Sequence, residues 1–202
     1  MKIIGLCGGS GSGKGTVAQM LAYYGMSSID ADEVYRFRTK PGGSLIPALV
    51  KEFGSGIISE DGVLDRRQLS KIVFTSDGHE EKLKRLNSIT HAAVIEETEK
   101  RISDFAKSGK NFVLFDAPLL FESGFNNRCD TIVAVVADAK KRIERIVKRD
   151  SISAKMASDR IRTQLSDEFL KENSDYVIVN NGELDELERQ VRELAEKIIT
   201  RG

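Results

Sequence analysis

The residues with the clearest chemical purpose are Gly8-Gly9-Ser10-Gly11-Ser12-Gly13-Lys14-Gly15-Thr16. Glycines at this density let successive backbone N–H groups converge on an anion, and a helix N-terminus adds partial positive charge. Lys14 supplies the full charge that neutralises β and γ oxygens. The bland alternative is an ordinary glycine-rich strand-to-helix turn. Against it stands the spacing of Gly8, four residues, then Gly13-Lys14, between an apolar run and a helical pattern. The reading is a phosphate cradle for a nucleoside triphosphate, contacted through Gly9, Gly11, Ser12, Gly13, Lys14, Gly15 and Thr16. One position departs from the usual pattern. Gly15 stands where a Ser or Thr hydroxyl normally reaches Mg²⁺, so either Thr16 takes part or the metal is held through water and a carboxylate.

Phosphoryl transfer asks for an acid near the acceptor hydroxyl and cations around the moving group. Asp30 and Asp32 close the apolar run after the cradle helix, where a carboxylate faces a γ-phosphate; capping the next helix is the alternative use for either. Asp116 ends a buried run in the manner of a magnesium-directed acid, with a structural turn acid as its alternative. Arg142, Arg145 and Arg149 are spaced i, i+3, i+7, opposite Ile143, Ile146 and Val147. Alone, such a stripe reads as a solvated face; beside a triphosphate cradle it becomes a mobile helix able to bring arginines over the phosphates. Arg36, Arg38 and Arg66 are candidates for acceptor phosphates or plain surface charge. His79 and His91 lack ligand spacing and are expected on the surface.

These residues need a scaffold that brings them together. Lys2–Cys7 is a short apolar run of strand length, and Val17, Met20, Leu21 and Tyr24 mark one face of a helix ended by Gly25. Further strands are read at 26–30, 111–116, 131–136 and 176–180. Between Ser44 and Ser108 the pattern is helical, with a long helix opening near Asp77, capped with help from Glu80, and stopping before Gly109. Short charged helices follow Asp138, punctuated by Asp150-Ser151 and Ser166. Leu184, Leu187, Val191, Leu194 and Ile198 give a closing amphipathic helix. Alternating strands and helices predict an α/β three-layer architecture with five parallel strands. Ligands then lie beyond the carboxyl ends of the strands, where Gly8, Asp30, Asp116 and Asn180 fall.

The 202 residues suffice for one well-buried core with accessory lobes, and Lys plus Arg equals Asp plus Glu at 31 each. Zero net charge argues against a nucleic-acid or anionic-membrane partner. Cys7 and Cys129 are isolated and read as buried free thiols of a cytoplasmic protein. The N-terminal apolar run is too short for a signal peptide, and no stretch has the length to span a membrane.

Taken together, the chain resembles the dephospho-CoA kinases over nearly its whole length. The resemblance rests on Gly5 to Lys14, Ile29-Asp30-Ala31-Asp32, Pro41-Gly42, Phe53-Gly54, Asp61-Gly62-Val63-Leu64-Asp65-Arg66, His91 and Pro118-Leu119-Leu120-Phe121-Glu122. Arg145, Arg149-Asp150, Arg160, Gln164 and Asp175 through Gly182 complete it. It implies a P-loop kinase core over residues 1–36, 111–137 and 174–202, a helical acceptor-binding insert at 37–110 and a helical lid at 138–173, all in one domain. It further implies ATP-dependent phosphorylation of the ribose 3′-hydroxyl of dephospho-CoA, with Asp32 as base and Arg145 as the charge-stabilising residue. Lys14 completes that catalytic set, Arg149 assists at the phosphates, and Thr16 and Asp116 are the candidates for Mg²⁺. Gly15, Ala92 and Ser174 depart from the family's usual Ser, Pro and Ala. Lys14-Gly15-Thr16 is similar to adenylate kinases, which keeps a nucleoside monophosphate kinase as the alternative. A slow nucleotide-dependent switch is a third reading, but no Asn-Lys-x-Asp base reader is present.

Overall fold

The structure is a computed structural model that describes residues 1–74 and 78–200. Five strands, β1 (Lys2–Cys7), β2 (Ser27–Asp30), β3 (Phe112–Asp116), β4 (Thr131–Val136) and β5 (Tyr176–Val179), form one sheet in the order β2-β3-β1-β4-β5. Pairing is parallel, with Leu6 opposite Asp116 and Val133, and Val136 opposite Val179. The central strands are buried on both faces, which explains their unbroken Val, Ile and Leu runs. The architecture is the expected α/β P-loop kinase fold.

The chain divides into two compact units, Met1–Ile29 with Asp104–Gly202, and Asp30–Ser103. In the first, α1 (Lys14–Tyr23) and α9 (Leu184–Thr200) pack on the sheet. Val17 and Leu21 of α1 and Leu187, Val191 and Leu194 of α9 share one core with Ile4, Leu6, Leu114, Val133 and Ile178. Three short helices lie between β4 and β5: α6 (Ala139–Asp150), α7 (Ala154–Arg162) and α8 (Asp167–Glu172). Ser153 and Ser166 cap α7 and α8 by accepting from the amides of Met156 and Phe169, so the serines that punctuate the sequence are helix starts. Ser151 takes a left-handed conformation at the joint of α6 and α7.

The second unit holds α2 (Ala31–Arg38), α3 (Ile46–Phe53), α4 (Arg66–Phe74) and most of α5 (His79–Lys107) around a separate core of Leu45, Leu49, Ile57, Leu64, Leu69 and Val73. Half of Glu33–Lys40 is charged and it carries no clear apolar period, so no helix is read there from sequence; a single buried side chain, Val34, and the Asp30 cap are enough to make α2. The expected opening of the long helix at Asp77 lies outside the described residues. Its capping partner Glu80 sits in the first turn of α5. His79 is exposed, whereas His91 is half-buried, contrary to the surface position expected for both. Among the described residues no helix is long and apolar enough to cross a membrane.

Candidate active site

Gly8 to Gly13 join the end of β1 to the start of α1, and their backbone turns outward on itself. Ser12 N–H donates to the Gly9 carbonyl, and Thr16 and Val17 both donate to that of Gly13. Gly13 has φ 96°, a left-handed value that a side chain would strain, and a Cβ there would strike the Asn180 amide. Gly11 is left-handed too, with the backbone of Arg142 against it. The glycines are therefore required by conformation and by what surrounds the loop.

The loop's carbonyls are taken up from outside. Arg142 Nε donates to Ser10 O at 2.9 Å, Arg145 Nη1 to Gly11 O at 3.2 Å, and Asn180 Nδ2 to Ser12 O at 2.8 Å. A trans peptide carries its C=O and N–H on opposite sides. With the carbonyls of Ser10 and Ser12 turned outward, the amides of Gly11 and Gly13 are turned the other way. Neither of those amides donates to a described protein group, and the same holds for Lys14 and Gly15 at the first turn of α1. Ser12 Oγ is buried without a hydrogen-bond partner. Free amides and an unmatched buried hydroxyl are what a polyphosphate oxygen would satisfy, so the cradle fits its ligand.

Lys14 forms an ion pair with Asp116, the last residue of β3, and both are largely buried. The structure thus brings together the lysine and the acid that the sequence singled out. Thr16 is exposed on the first turn of α1, one turn into which the amides of the cradle continue. Gly15 is exposed with open space where a Cβ would stand. Asp116 and the hydroxyls of Thr16 and Ser12 are the oxygen groups near the cradle's lysine in sequence or structure that suit a magnesium ion. Among the described residues no group of three His, Cys, Asp or Glu could cage one. Mg²⁺ takes few protein ligands and draws the rest from phosphate and water, so Asp116 and Thr16 fit it.

The arginines of α6 are where sequence and structure differ. Arg142 is 3% exposed and shares the buried face with Ile146, because i and i+4 lie on one side of a helix; it does not stand opposite that residue. Its guanidinium donates to Ser10 O, to Asp167 Oδ1 at 2.8 Å and to Gln164 Oε1 at 3.0 Å. Burial raises the Asp167 carboxyl above its ordinary value, outweighing the neighbouring Arg142 charge. Arg145 also donates to Asn180 O at 3.1 Å, so it braces the loop against the end of β5. Arg149 reaches Ser10 Oγ at 3.3 Å and is held in a two-pronged contact by Asp150, which Arg160 of α7 also engages. Hydrogen bonds from Arg149, then Arg160, hold the Asp150 carboxyl well below the usual range.

In the second unit Asp30 Oδ1 accepts from the amides of Asp32 at 2.7 Å and Glu33 at 3.1 Å. Asp30 is thus the helix cap, which leaves the exposed Asp32 carboxylate for chemistry. Arg38 is not plain surface charge: it pairs with Glu96 at 2.6 Å and Glu97 at 3.5 Å and is largely buried. Arg36 is exposed and 3.8 Å from Asp30, and the exposed Arg66 lies over the Tyr35 ring. Sequence reasoning named Arg142 only as part of the arginine stripe, placed Asn180 at the ligand end of the sheet without a role, named Gln164 only in the family resemblance, and missed Asp167. The one available signal was the i, i+4 relation of Arg142 to Ile146.

The dephospho-CoA kinase family profile matches residues 2–186. The chain belongs to the dephospho-CoA kinase family. A dephospho-CoA kinase of Corynebacterium diphtheriae is 39% identical over 200 residues, covering 99% of this chain and 98% of the relative. The crystal structure of TT1252 from Thermus thermophilus superposes with TM-score 0.81 at 30% identity, covering 98% of this chain and 97% of the other. A dephospho-CoA kinase from Campylobacter jejuni has TM-score 0.70 at 22% identity, covering 97% and 96%, and supports the fold alone. This member of the family is accordingly a phosphotransferase, built on a cradle whose Gly15 replaces the usual hydroxyl.

Proposed function

We propose that this chain transfers the γ-phosphoryl group of ATP to the ribose 3′-hydroxyl of dephospho-CoA, giving coenzyme A and ADP, the last step of coenzyme A biosynthesis. The observation that carries the reading is the glycine loop itself: its Gly11, Gly13, Lys14 and Gly15 amides donate to no described protein group, Lys14 lies within it, and Arg145 and Arg149 of α6 lie against it. Free amides with basic side chains close by suit a triphosphate whose charge must be neutralised as its terminal bond breaks.

Lys14 and the backbone from Gly11 to Thr16, with Gly9 beside them, hold the phosphates. Asp32 accepts the proton of the 3′-hydroxyl as its oxygen bonds to the γ-phosphorus. The bond from that phosphorus to the β–γ bridging oxygen breaks, and ADP leaves with the electron pair. Arg145, helped by Arg149, neutralises the charge of the moving phosphoryl. Asp116 and Thr16 would hold Mg²⁺, in part through water, and the ion would supply charge neutralisation to the phosphates. The helices of residues 37–110 receive the acceptor and those of 138–173 form the lid, in one kinase domain. The substrate is a small molecule, without nucleic acid or membrane, and the enzyme is cytoplasmic. Two free cysteines support that last point.

The test is a panel of acceptors, dephospho-CoA, AMP and CMP, each with ATP and Mg²⁺, following ADP and reading the product's phosphate position by NMR. Turnover with dephospho-CoA alone, at the 3′ position, is the expected result. Faster phosphorylation of AMP would overturn it in favour of a nucleoside monophosphate kinase.

A further inference from the structure

Two carbonyls and one amide of the cradle are bound by side chains that the transfer reaction does not use. Arg142 takes Ser10 O and Asn180 takes Ser12 O, while Gln164 Oε1 accepts the Ser10 N–H at 2.9 Å. Gln164 also accepts from Arg142, so Ser10 N–H, Gln164, Arg142 and Ser10 O close a ring of hydrogen bonds. Both peptide planes flanking Ser10 are pinned by that ring. The fit is tight: a Cβ at Gly9 would collide with the Arg142 guanidinium and meet Gln164 Oε1. Asn180 is 7% exposed and Arg142 is 3% exposed, so the Asn180 contact is buried and those of Arg142 and the half-buried Gln164 are partly so.

We infer that Arg142, Asn180 and Gln164 are positioning residues that aim the anion-binding amides of Gly11 and Gly13 before any nucleotide arrives. The inference rests on the cradle being the triphosphate site. A glycine-rich loop left to itself samples many backbone states, and each peptide that flips turns an amide away from the phosphate and a carbonyl toward it. The collar removes that freedom by bonding the carbonyl on the far side of each peptide. Its members come from α6, from the segment after α7 and from the end of β5. The geometry of the cradle is therefore tied to the seating of the helices between β4 and β5. A bound phosphate meets amides already aligned, which lowers the ordering cost of binding.

The variants Gln164→Met and Asn180→Leu keep approximate side-chain size and remove the acceptor and the donor. In ¹⁵N-labelled full-length protein, Gln164→Met should shift the Ser10 amide signal and speed its hydrogen exchange. Binding of inorganic tripolyphosphate and of ATP, measured by calorimetry, should weaken about tenfold in each variant, the scale of a lost buried hydrogen bond. The Gly11 and Gly13 amides should lose the shift that tripolyphosphate induces in the native protein. Melting temperatures should fall by only a few degrees, the scale of one lost hydrogen bond in a chain of this size. Native-like tripolyphosphate affinity in both variants would overturn the inference. So would weaker binding with the Ser10 amide exchange unchanged in Gln164→Met and the Gly11 and Gly13 shifts retained, since the residues would then be structural only. A native protein that binds ATP but fails to phosphorylate dephospho-CoA would count against the proposed reaction and leave the collar standing.

Discussion

Lys14 carries the charge inside the cradle, and α6 presents three arginines to the outside, each with a different set of partners. Replacing Lys14 or Arg145 by Ala should each lower kcat/KM by at least ~3 kcal/mol of transition-state stabilisation, the scale of one preorganised donor. Steady-state kinetics with dephospho-CoA checks both. Asp32→Asn should abolish most turnover while ATP still binds, because it removes the proposed base and leaves the cradle intact; near-normal kcat would refute the assignment. Arg142 is bound in three directions by Ser10, Asp167 and Gln164, so its planar fork matters as much as its charge. Arg142→Lys should therefore fail to restore the native fold's resistance to urea. Arg142→Ala, which leaves Asp167 without its partner, should cost roughly 3 kcal/mol.

The turn from β1 into α1 gives two glycines on either side of Lys14 opposite requirements. Gly13 is left-handed and has Asn180 against it, so Gly13→Ala should destabilise by about 1–2 kcal/mol from backbone strain alone. Gly15 lies in the first turn of α1 with open space around it, and Gly15→Ala should stabilise by about 0.5–1 kcal/mol through helix propensity. Urea unfolding of the two variants side by side gives both signs in one experiment. Elements of this kind were legible in the sequence when one physical rule sufficed. The buried strands announced themselves as apolar runs, and the cradle as glycines spaced before a lysine. Less was legible where two rules competed. Asp30 satisfied the pattern of a catalytic acid and of a cap, and only its bonds to the amides of Asp32 and Glu33 decide between them. The stripe of arginines on α6 matched a solvated face, yet Arg142 is buried because the loop's carbonyls and Asp167 lie beside it, contacts made by residues far away in the chain. The helix α2 escaped notice because its apolar content is small and its cap does most to start it.

At the scale of the molecule, the sheet that carries the cradle also encloses a thiol. Cys7 is the last residue of β1, 1% exposed, and donates to Val133 O at 3.6 Å. Burial pushes its pKa from the ordinary 9.0 up to about 11. The folded protein therefore keeps this proton over a range where the unfolded chain has lost it. Stability rises with pH only where the unfolded state binds more protons, and here the folded state binds more. The contribution is thus complete below about pH 9 and disappears as the pH climbs toward 11. A shift of this size corresponds to roughly 2–3 kcal/mol. Cys129, half-buried and pushed up to about 12 mainly by burial, acts in the same direction. Melting temperature should accordingly fall between pH 9 and pH 11. In Cys7→Ala, which cannot titrate, the fall should be shallower by the Cys7 share, with the loss near pH 7 limited to that of a small side chain. The same enclosure predicts that Cys7 in the native state resists alkylation on the timescale of hours and reacts at once in urea. Equal alkaline slopes in the native and Cys7→Ala proteins would mean that the strand end opens far more readily than its packing implies, and that the floor beneath the phosphate cradle is correspondingly soft.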